Sequence, residues 1–496
     1  MYKRCFNKIK EKCVDVPHWV KVVVILFVIT LVSAVIRFYQ IGKMPFWIDE
    51  IYTMLFVGGD MRQMFEVMWP GEMNMALYYL VVNFWADMFA SPSEGVLRII
   101  SAAFSIMSIP AVFFLGRKIS ADKRIADATG LVAALLVSFN AFHVQYAQEL
   151  RSYSLVFLLA VLSTLLFIKA IEKPNLLKYW VWYTIVSIAA IYSHYFAVFL
   201  IFAHAVSLLV LFVGKVKNLP LKRLVVSYIA IALSIIPIVS IVLLIGTRNL
   251  VWVTRPTFDT LMQFSILVTG NQGIQLLVLY IVAVVVGILV GVSWWQKDVL
   301  KNWVSALFAI CLFLPAGTAL LISSVRTPIF VDRYFLFSVS FLSILAAVGI
   351  VKLIYANKIV LKLCGVLTLV LIVVFSISGT RKYFTDYQKE NWKDASALLT
   401  KNCSGSEHLR LYLPVWTQGF TYYYDKQLKT QNVPLQDNLE ELLASEISAS
   451  IPDSYLSVCL TRRWSWSETV RAGIQQKYPN MTTTRFYGLE VDIFRK

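Results

Sequence analysis

The stretch LLVLYIVAVVVGILVGV, residues 276–292, runs for seventeen residues without a charged side chain. A run of this length and composition is typical of a helix that crosses the roughly 30 Å hydrocarbon core of a bilayer. Similar runs recur from residue 20 to residue 379, among them VVVILFVITLVSAVI (22–36) and SLVFLLAVLSTLLFI (154–168). The whole chain of 496 residues is 58% hydrophobic and only 15% charged, whereas soluble domains carry about a quarter charged residues. The sequence therefore predicts a mainly α-helical, polytopic membrane protein.

The basic residues are distributed unevenly along this apolar chain, whose formal net charge is +17. Six short clusters between apolar runs hold 22 Lys and Arg in 65 positions, against 9 in the 112 positions of the alternating loops. This is the positive-inside pattern, which places the basic clusters in the cytoplasm. We therefore predict a multi-pass protein of the cytoplasmic (inner) membrane with a cytoplasmic N-terminus, and no nucleic-acid partner. The clusters are 1–21, 117–124, 169–178, 214–223, 297–301 and 352–362.

Residues 75–90 are apolar enough to span, but a crossing there would move the five later basic clusters to the outer face. The Trp, the paired Tyr, Asn83 and Asp87 of this segment suit a helix that lies in the outer interface. We therefore predict interfacial helices in a first outer loop, 37–96, and about eleven transmembrane helices. The predicted spans lie near 20–36, 97–116, 125–140, 151–170, 179–193, 195–213, 224–245, 274–295, 302–323, 332–352 and 360–379.

The composition changes after residue 379, and nothing beyond it is apolar enough to cross a membrane. Helical stretches at 391–401 and 467–477 alternate with strand-like runs at 409–415, 455–460 and 489–494. We predict two domains: residues 1–379 form the transmembrane domain, and residues 380–496 form a small extracytoplasmic α/β domain. For the second domain a lid or a partner-docking module is the favoured interpretation.

The stretch PFWIDEIYTM, residues 45–54, places adjacent carboxylates, Asp49 and Glu50, at the predicted outer interface. Taken alone, the pair is also typical of an exposed acidic turn in a long loop. Other outer span ends carry polar groups too, and these are equally open to structural readings as satisfied histidines, local ion pairs or lipid anchors. Their convergence on one membrane face favours a site. The further polar groups are Glu149, Arg151, His194, Tyr195, Arg333 and Tyr334.

Carboxylates and arginines above apolar grooves suit an amphiphile with an anionic head group and a long tail. The guanidinium of Arg333, beside Tyr334, can hold a phosphate through paired hydrogen bonds. A carboxylate can take the proton from a hydroxyl that attacks the carbon joined to that phosphate. The guanidinium then stabilises the charge that develops on the departing phosphate.

The order of these motifs resembles that of the protein O-mannosyltransferase-related (family 39) glycosyltransferases. That family belongs to the C-type membrane superfamily, which also holds lipid A aminoarabinose transferases and oligosaccharyltransferases. The resemblance covers about residues 20–350 and implies an inverting glycosyltransferase. Such an enzyme moves a sugar from a polyprenyl-phosphate carrier to a protein, lipid or glycan acceptor on the outer face. After the Asp-Glu pair, the matching segments are NMALYYLVVNFW (74–85), LRIISAAFSIMSIPAVFFLGRKI (97–119), FHVQYAQELRSYSL (142–155), YSHYFAVFLI (192–201) and RYFLF (333–337).

The resemblance assigns roles to individual residues. Asp49 matches the catalytic carboxylate and Glu50 its neighbour. Arg333 and Tyr334 match the pair near the carrier phosphate. Glu149–Arg151 and His194–Tyr195 match segments that line the same cavity. Asn74 and Tyr78 are further candidate donor-binding residues.

The segment before the predicted interfacial helix departs from the family pattern. Many relatives read His-Pro-Pro where this chain has Asn74-Met75-Ala76. An asparagine is neither a base nor a strong metal ligand, so a role for that histidine in metal binding or proton transfer does not carry over. No cofactor is implied with certainty. If a divalent cation takes part, Asp49 and Glu50 are its candidate ligands.

Two other function classes remain open from the sequence. The chain could be a transporter or flippase for lipid-linked sugars, or a non-catalytic protein that binds them. A coupled transporter needs ionisable groups near mid-membrane, but the predicted spans have no Lys or Arg at their centres. Under all three readings the predicted partners are the bilayer and a polyprenyl-phosphate-linked sugar, and the enzyme needs in addition an acceptor that the sequence does not identify.

Overall fold

A computed structural model gives the structure of the chain and describes most of residues 16–495. By contacts between residues the chain divides into two compact units. The first unit comprises Met1–Tyr39, Phe65–Val81 and Ile99–Thr385, and the second comprises Gln40–Met64, Val82–Arg98 and Asp386–Lys496. The described residues are 16–57, 62, 64, 66, 73–89, 92–216, 219–246, 252–271, 273–292, 299–386, 389–403, 409–414, 422–423, 430–433, 457–462, 472, 475–476 and 478–495.

Most of the described chain is α-helical, as expected where long apolar runs must satisfy their backbone hydrogen bonds internally. The helices are α1 (His18–Phe38), α2 (Ile48–Val57), α3 (Ala76–Ala86), α4 (Glu94–Gly116), α5 (Lys123–Phe139), α6 (Ala141–Ala147), α7 (Tyr153–Glu172), α8 (Leu177–Ser193), α9 (Ala197–Val213), α10 (Leu221–Ser234), α11 (Ile236–Ile245), α12 (Phe258–Thr269), α13 (Ile274–Val292), α14 (Val299–Val325), α15 (Ser338–Ile354), α16 (Ile359–Asp386) and α17 (Trp392–Cys403).

Each predicted span falls on one of these helices, or on the consecutive pair α10 and α11. Within the described residues, six helical segments are long and apolar enough to cross a membrane, or up to eight if two bent pairs each count as one span. The polytopic helical fold is confirmed, and the number eleven stays a prediction. Helix α3, in the segment predicted to lie flat, has 11 residues. It is therefore about 16 Å long, too short to cross the hydrocarbon core.

Burial separates the central helices of the first unit from the peripheral ones. In α7, 78% of the apolar window is buried inside the protein, against 17% in α1 and in α16. Helix α15 is buried along nearly its whole length. The helices α7 and α15 therefore lie in the core, and α1 and α16 present apolar side chains outward, as a lipid-facing helix does.

Helices α13 and α15 approach closely at two glycines. An ideal Cβ on Gly287 would lie 3.0 Å from the carbonyl oxygen of Leu345, and a Cβ on Gly349 would overlap the carbonyl of Ala283. Small residues at such crossings let helix backbones pack against each other in membranes. We expect Gly349→Ala to force the helices apart and to lower the free energy of unfolding by about 1–3 kcal/mol. Thermal unfolding of the purified protein in detergent measures this loss.

Gly317 in α14 is the matched control for that substitution. No heavy atom lies within 4 Å of the position that its Cβ would take. Since alanine favours a helix over glycine by up to about 1 kcal/mol, Gly317→Ala should leave the melting temperature unchanged or raise it. A Gly349→Ala protein that melts like the Gly317→Ala protein would show that the close approach does not limit packing.

The C-terminal residues of the second unit form a five-stranded mixed sheet in the order β2-β1-β3-β5-β4. Strand β1 pairs in parallel with β2 and β3, and β5 pairs antiparallel with β3 and β4. With α17 beside it in the sequence, the sheet confirms the predicted α/β character. The strands are β1 (Leu409–Pro414), β2 (Thr430–Val433), β3 (Ser457–Arg462), β4 (Asn480–Phe486) and β5 (Leu489–Arg495).

Three of these strands, β1, β3 and β5, match the strand-like runs read from the sequence, whereas β2 and β4 were not predicted. The predicted helix at 391–401 corresponds to α17, and the predicted helix at 467–477 lies mostly outside the described residues. Strand β4 reads NMTTTRF. Its polar and β-branched residues give no apolar alternation, so the pairing with β5 across a tight turn determines it.

The second unit is not limited to the C-terminal residues. It also contains Gln40–Met64 and Val82–Arg98, two segments of the predicted first outer loop. The predicted domain boundary at residue 379 falls inside α16, which continues to Asp386. The acidic pair thus belongs to the same compact unit as the C-terminal sheet.

Candidate active site

The acidic pair lies in the first turn of α2. Carboxylates are favoured there because the helix dipole places partial positive charge at the N-terminus. The side chain of Glu50 also turns back to accept the backbone N–H of Trp47, with Oε2 at 3.4 Å, which is one half of a capping box. Phe46 and Ile51 are fully buried and anchor the start of the helix. The apolar residues around the pair therefore fix the position of the helix.

The two adjacent carboxylates have different surroundings. Successive residues of an α-helix point about 100° apart, so neighbours on α2 need not share an environment. Glu50 is 0% exposed, whereas Asp49 is partly exposed. Asp49 is thus the more exposed member of the pair.

Arg98 holds Glu50 through two hydrogen bonds. Its Nε donates to Oε1 and its Nη2 to Oε2, both at 2.7 Å. Its other donors go to backbone carbonyl oxygens: Nη1 to Ile41 at 3.1 Å and to Met44 at 2.7 Å, and Nη2 to Pro45 at 3.0 Å. All five N–H groups of the guanidinium are therefore engaged, and this arginine fixes the chain that leads into α2.

Lys389, three residues beyond the end of α16, provides a second cation for Glu50. Its Nζ lies 3.0 Å from Oε2, and its side chain is only 1% exposed. An ammonium in so buried a position keeps its charge only when fixed partners replace its hydration. Glu50 is thus placed between two buried cations, and its negative charge is fully balanced.

Tyr423 makes a further contact with the segment before α2. Its hydroxyl accepts the backbone N–H of Phe46 at 2.8 Å and donates to Oε1 of Glu94 at 3.3 Å. Burial raises the pKa of the Tyr423 hydroxyl, which therefore stays protonated and able to donate. Burial alone would raise the pKa of Glu94, but hydrogen bonds from Lys393 and Tyr423 and the charge of Lys393 lower it overall.

The donor set around the acidic pair does not fit a divalent cation. Both oxygens of Glu50 accept hydrogen bonds from charged nitrogen donors. Throughout the described ranges, moreover, no three His, Cys, Asp or Glu side chains are grouped so that they could hold a metal ion.

Asn74 makes two contacts within the first unit. Its Oδ1 accepts the backbone N–H of Tyr195 at 3.2 Å, and its Nδ2 lies 3.4 Å from Nε2 of His194. His194 is buried in the short turn between α8 and α9. Burial, followed by the charges of Arg151 and Arg333, lowers the pKa of His194 to about 3. The imidazole is therefore neutral at physiological pH and is not a base that titrates in the working range.

Arg333 lies in a short 3₁₀ turn, Asp332–Phe335, and is surrounded by aromatic rings. Its Nε donates to the hydroxyl of Tyr153 at 3.0 Å. Its guanidinium carbon lies 5.3 Å from the ring centre of Trp252 and 5.7 Å from that of Tyr334. Such contacts fix the orientation of a guanidinium.

Tyr334, which contacts Arg333, also packs against His194: the centres of the two rings lie 4.4 Å apart. Glu149 and Arg151 are buried in the connection between α6 and α7. The hydroxyl of Tyr78 lies 2.6 Å from Oγ of Ser101, which in turn donates to the carbonyl of Arg151 at 3.4 Å. The structure thus brings Asn74, His194, Tyr195, Arg333 and Tyr334 into one connected set of contacts, and links Tyr78 to Arg151.

The predicted site residues fall in both units. Asp49 and Glu50 belong to the second unit, and the eight predicted donor-binding residues belong to the first. Four further residues of these contacts were not predicted from the sequence: Arg98, Lys389, Tyr153 and Trp252. Arg98 carries a signal that could have identified it, since it is the only Lys or Arg from residue 63 to residue 116. The other three have no comparable signal, because their importance depends on contacts between residues far apart in sequence.

One family model matches part of the chain. The model described as dolichyl-phosphate-mannose-protein mannosyltransferase matches residues 76–244, which is less than half of the chain. A search of curated proteins finds no significant match.

Solved structures show the same fold over nearly the whole chain. ArnT from Cupriavidus metallidurans in the apo state aligns with a TM-score of 0.59 and 11% identity, over 94% of this chain and 97% of that one. ArnT bound to undecaprenyl phosphate aligns with a TM-score of 0.56 and 12% identity over the same shares. AglB, an oligosaccharyltransferase from Archaeoglobus fulgidus in complex with an inhibitory peptide and a dolichol-phosphate, aligns with a TM-score of 0.54 and 12% identity, over 95% of this chain and 74% of that one. Over residues 76–244 the family model agrees with the resemblance seen in the sequence, and the solved structures show that their fold extends over nearly the whole chain.

Proposed function

We propose that this chain is an inverting glycosyltransferase that moves a sugar from a polyprenyl-phosphate carrier to an acceptor on the outer face of the cytoplasmic membrane. The observation that carries the proposal is the difference in burial between the two adjacent acidic residues. Glu50 is buried between two cations, while Asp49, beside it, is partly exposed. A fixed helix that presents one accessible carboxylate is the arrangement that a general base requires.

The comparisons support polyprenyl-linked sugar transfer as the reaction class. The ArnT structure holds undecaprenyl phosphate and the AglB structure holds a dolichol-phosphate, so two proteins of this fold bind a polyprenyl-type phosphate. We carry over that class of donor and no more. The sugar and the acceptor of this chain need their own experiments.

In the proposed reaction Asp49 takes the proton from the acceptor hydroxyl. The acceptor oxygen then forms a bond to the anomeric carbon as the bond from that carbon to the phosphate oxygen breaks. The electron pair of the broken bond leaves with the polyprenyl phosphate. Because the acceptor attacks opposite the leaving group, the configuration at the anomeric carbon is inverted.

Arg333 is the proposed contact for the carrier phosphate. Tyr153, Trp252 and Tyr334 hold its guanidinium in place, so little of its conformational freedom is lost when an anion binds. A positioned guanidinium stabilises the negative charge that the leaving phosphate gains in the transition state. The apolar helices of the first unit would accommodate the polyprenyl chain.

For Arg333→Ala we expect kcat/KM for the polyprenyl-phosphate donor to fall roughly 10- to 100-fold, through a higher KM and a lower kcat, since a hydrogen bond to a charged group contributes about 1.5–3 kcal/mol. The melting temperature should change little, because Arg333 is only partly buried. Arg333→Lys should recover only part of the loss, as an ammonium keeps the charge without the planar fork. Initial rates at varied donor concentration, with thermal unfolding in the same detergent, measure both effects.

Arg326 is the matched control, since it is exposed in the same connection between α14 and α15. Arg326→Ala should leave both the KM and the melting temperature near the wild-type values. If Arg333→Ala lowers stability as much as it lowers donor use, Arg333 has a structural role and the proposed phosphate contact is wrong.

The proposed function is tested directly with purified protein and a polyprenyl-phosphate donor carrying a radiolabelled sugar. Appearance of label on envelope acceptors, dependent on Asp49, supports the transferase. If the protein moves the labelled lipid across a vesicle membrane but leaves the sugar on its carrier, the chain is a flippase. Binding of the donor without either event would identify a non-catalytic binding protein.

A further inference from the structure

We propose that Lys389 is a positioning residue that holds α2, and with it Asp49, in the orientation needed for transfer. The inference rests on the proposed function and extends it to the segment that follows the last long helix. That segment would then be an integral part of the catalytic machinery. The sequence had favoured a lid or a docking module instead.

The contact joins two parts of the second unit that are 339 positions apart in the chain. Nζ of Lys389 reaches Oε2 of Glu50 at 3.0 Å, and neither side chain is more than 1% exposed. A flexible lysine placed so deeply loses its hydration, and the nearby carboxylate of Glu50 offsets part of that loss. A lid that opened and closed would have to break this buried ion pair in every cycle.

Charge balance indicates that Lys389 is not needed merely to neutralise Glu50. Arg98 already donates to both oxygens of that carboxylate, at 2.7 Å each. A second buried cation adds no missing hydrogen bond to Glu50. It does fasten the residues after α16 to the first turn of α2, one residue from Asp49.

A second contact reaches the same stretch independently. The hydroxyl of Tyr423 accepts the backbone N–H of Phe46 at 2.8 Å, and the ring of Tyr422 lies 5.9 Å from the ring of Phe46. Two separate places in the C-terminal part, at Lys389 and at Tyr422–Tyr423, therefore hold residues 46–50. A displacement of about 1 Å at a reacting group can reduce a rate by about 100-fold, so this fastening matters for the chemistry.

The test compares Lys389→Met, Lys389→Arg and Lys393→Met in the full-length protein. Methionine preserves the length of the lysine stem and removes the charge, and it leaves both Arg98 bonds to Glu50 in place. Lys393 is the matched control: its Nζ also reaches a carboxylate of the unit, that of Glu94 at 2.9 Å, but its side chain is 55% exposed. An exposed pair of this kind contributes little.

We expect Lys389→Met to lower kcat at least tenfold while the KM for the donor stays within twofold. Lys389→Arg should restore at least half of the wild-type kcat, and Lys393→Met should match the wild type. Hydrogen–deuterium exchange of the peptide covering residues 46–57 should be at least tenfold faster in Lys389→Met than in the other proteins. The exchange measurement needs no activity, so it tests the positioning even if the wild-type protein transfers no sugar.

The outcomes separate the two proposals. A wild-type protein that never transfers sugar overturns the proposed function, and the exchange data then decide alone whether Lys389 holds α2. Unchanged exchange in Lys389→Met overturns the positioning role, whatever the activity. Lower thermal stability with a normal kcat for the folded protein would also overturn it, since that combination marks a purely structural ion pair.

Discussion

Replacing Asp49 by asparagine is expected to lower kcat for sugar transfer by about 10²- to 10⁴-fold, the range that a positioned general base contributes. Asparagine keeps the size and the hydrogen-bonding shape of the side chain, but it cannot accept the proton of the acceptor hydroxyl. Because Asp49 is partly exposed in the first turn of α2, the substitution should not disturb packing. Initial rates with a radiolabelled polyprenyl-phosphate donor measure the loss, and the melting temperature should stay within a few degrees of the wild type.

Asp87 supplies the control for this substitution. It is another acid of the predicted first outer loop, exposed, and hydrogen-bonded to Asn83 at 3.3 Å. Asp87→Asn should retain wild-type transfer. An Asp49→Asn protein that keeps a tenth or more of the wild-type kcat would remove Asp49 from the role of base, since the remaining activity would need another proton acceptor.

The helical fold was predictable because its signal is local. An apolar run of about twenty residues must satisfy its backbone hydrogen bonds within itself, and a helix is the only single-segment way to do so in lipid. The strands β1, β3 and β5 were likewise visible as short apolar runs. Strand β4 was not, because the hydrogen bonds that define it come from its neighbour β5 and not from its own sequence.

The candidate site was predictable in part. Adjacent carboxylates in an apolar stretch are unusual enough to indicate a site, and the order of motifs identified the family. The sequence could not separate the roles of Asp49 and Glu50, because that separation depends on a helical turn and on two distant cations. In the sequence, Lys389 cannot be distinguished from a lysine of a soluble linker. Its burial against Glu50 is visible only in the structure.

The segments that make up the second unit could not be predicted from the sequence either. A change of composition at residue 379 is easy to read, but contacts between segments far apart in sequence leave no trace in composition. Gln40–Met64 joins the C-terminal residues in one compact unit, and the buried contact of Lys389 with Glu50 is one link between them. The role of the C-terminal part therefore follows from such contacts and not from its composition.

The largest expected effect on stability is that of Arg98→Met. The substitution removes all five hydrogen bonds of the guanidinium, and with them one of the two buried cations beside Glu50. Removing one partner of a buried, hydrogen-bonded ion pair lowers the free energy of unfolding by about 3–5 kcal/mol. Chemical unfolding in detergent, together with limited proteolysis of the second unit, measures this loss.

Arg485→Met in the same unit is the control. It tests whether the loss of stability requires a buried ion pair or follows from the loss of any ion pair. Nε of Arg485 lies 3.0 Å from Oε1 of Glu490, but the arginine side chain is 79% exposed. Exposed pairs contribute at most about 1 kcal/mol, so Arg485→Met should unfold close to the wild type. Arg98→Lys should fall between the two, because an ammonium can balance the charge of Glu50 without reaching the three carbonyls. If Arg98→Met and Arg485→Met unfold alike, the Arg98 cluster does not hold the segment before α2, and the fixed presentation of Asp49 loses its physical basis.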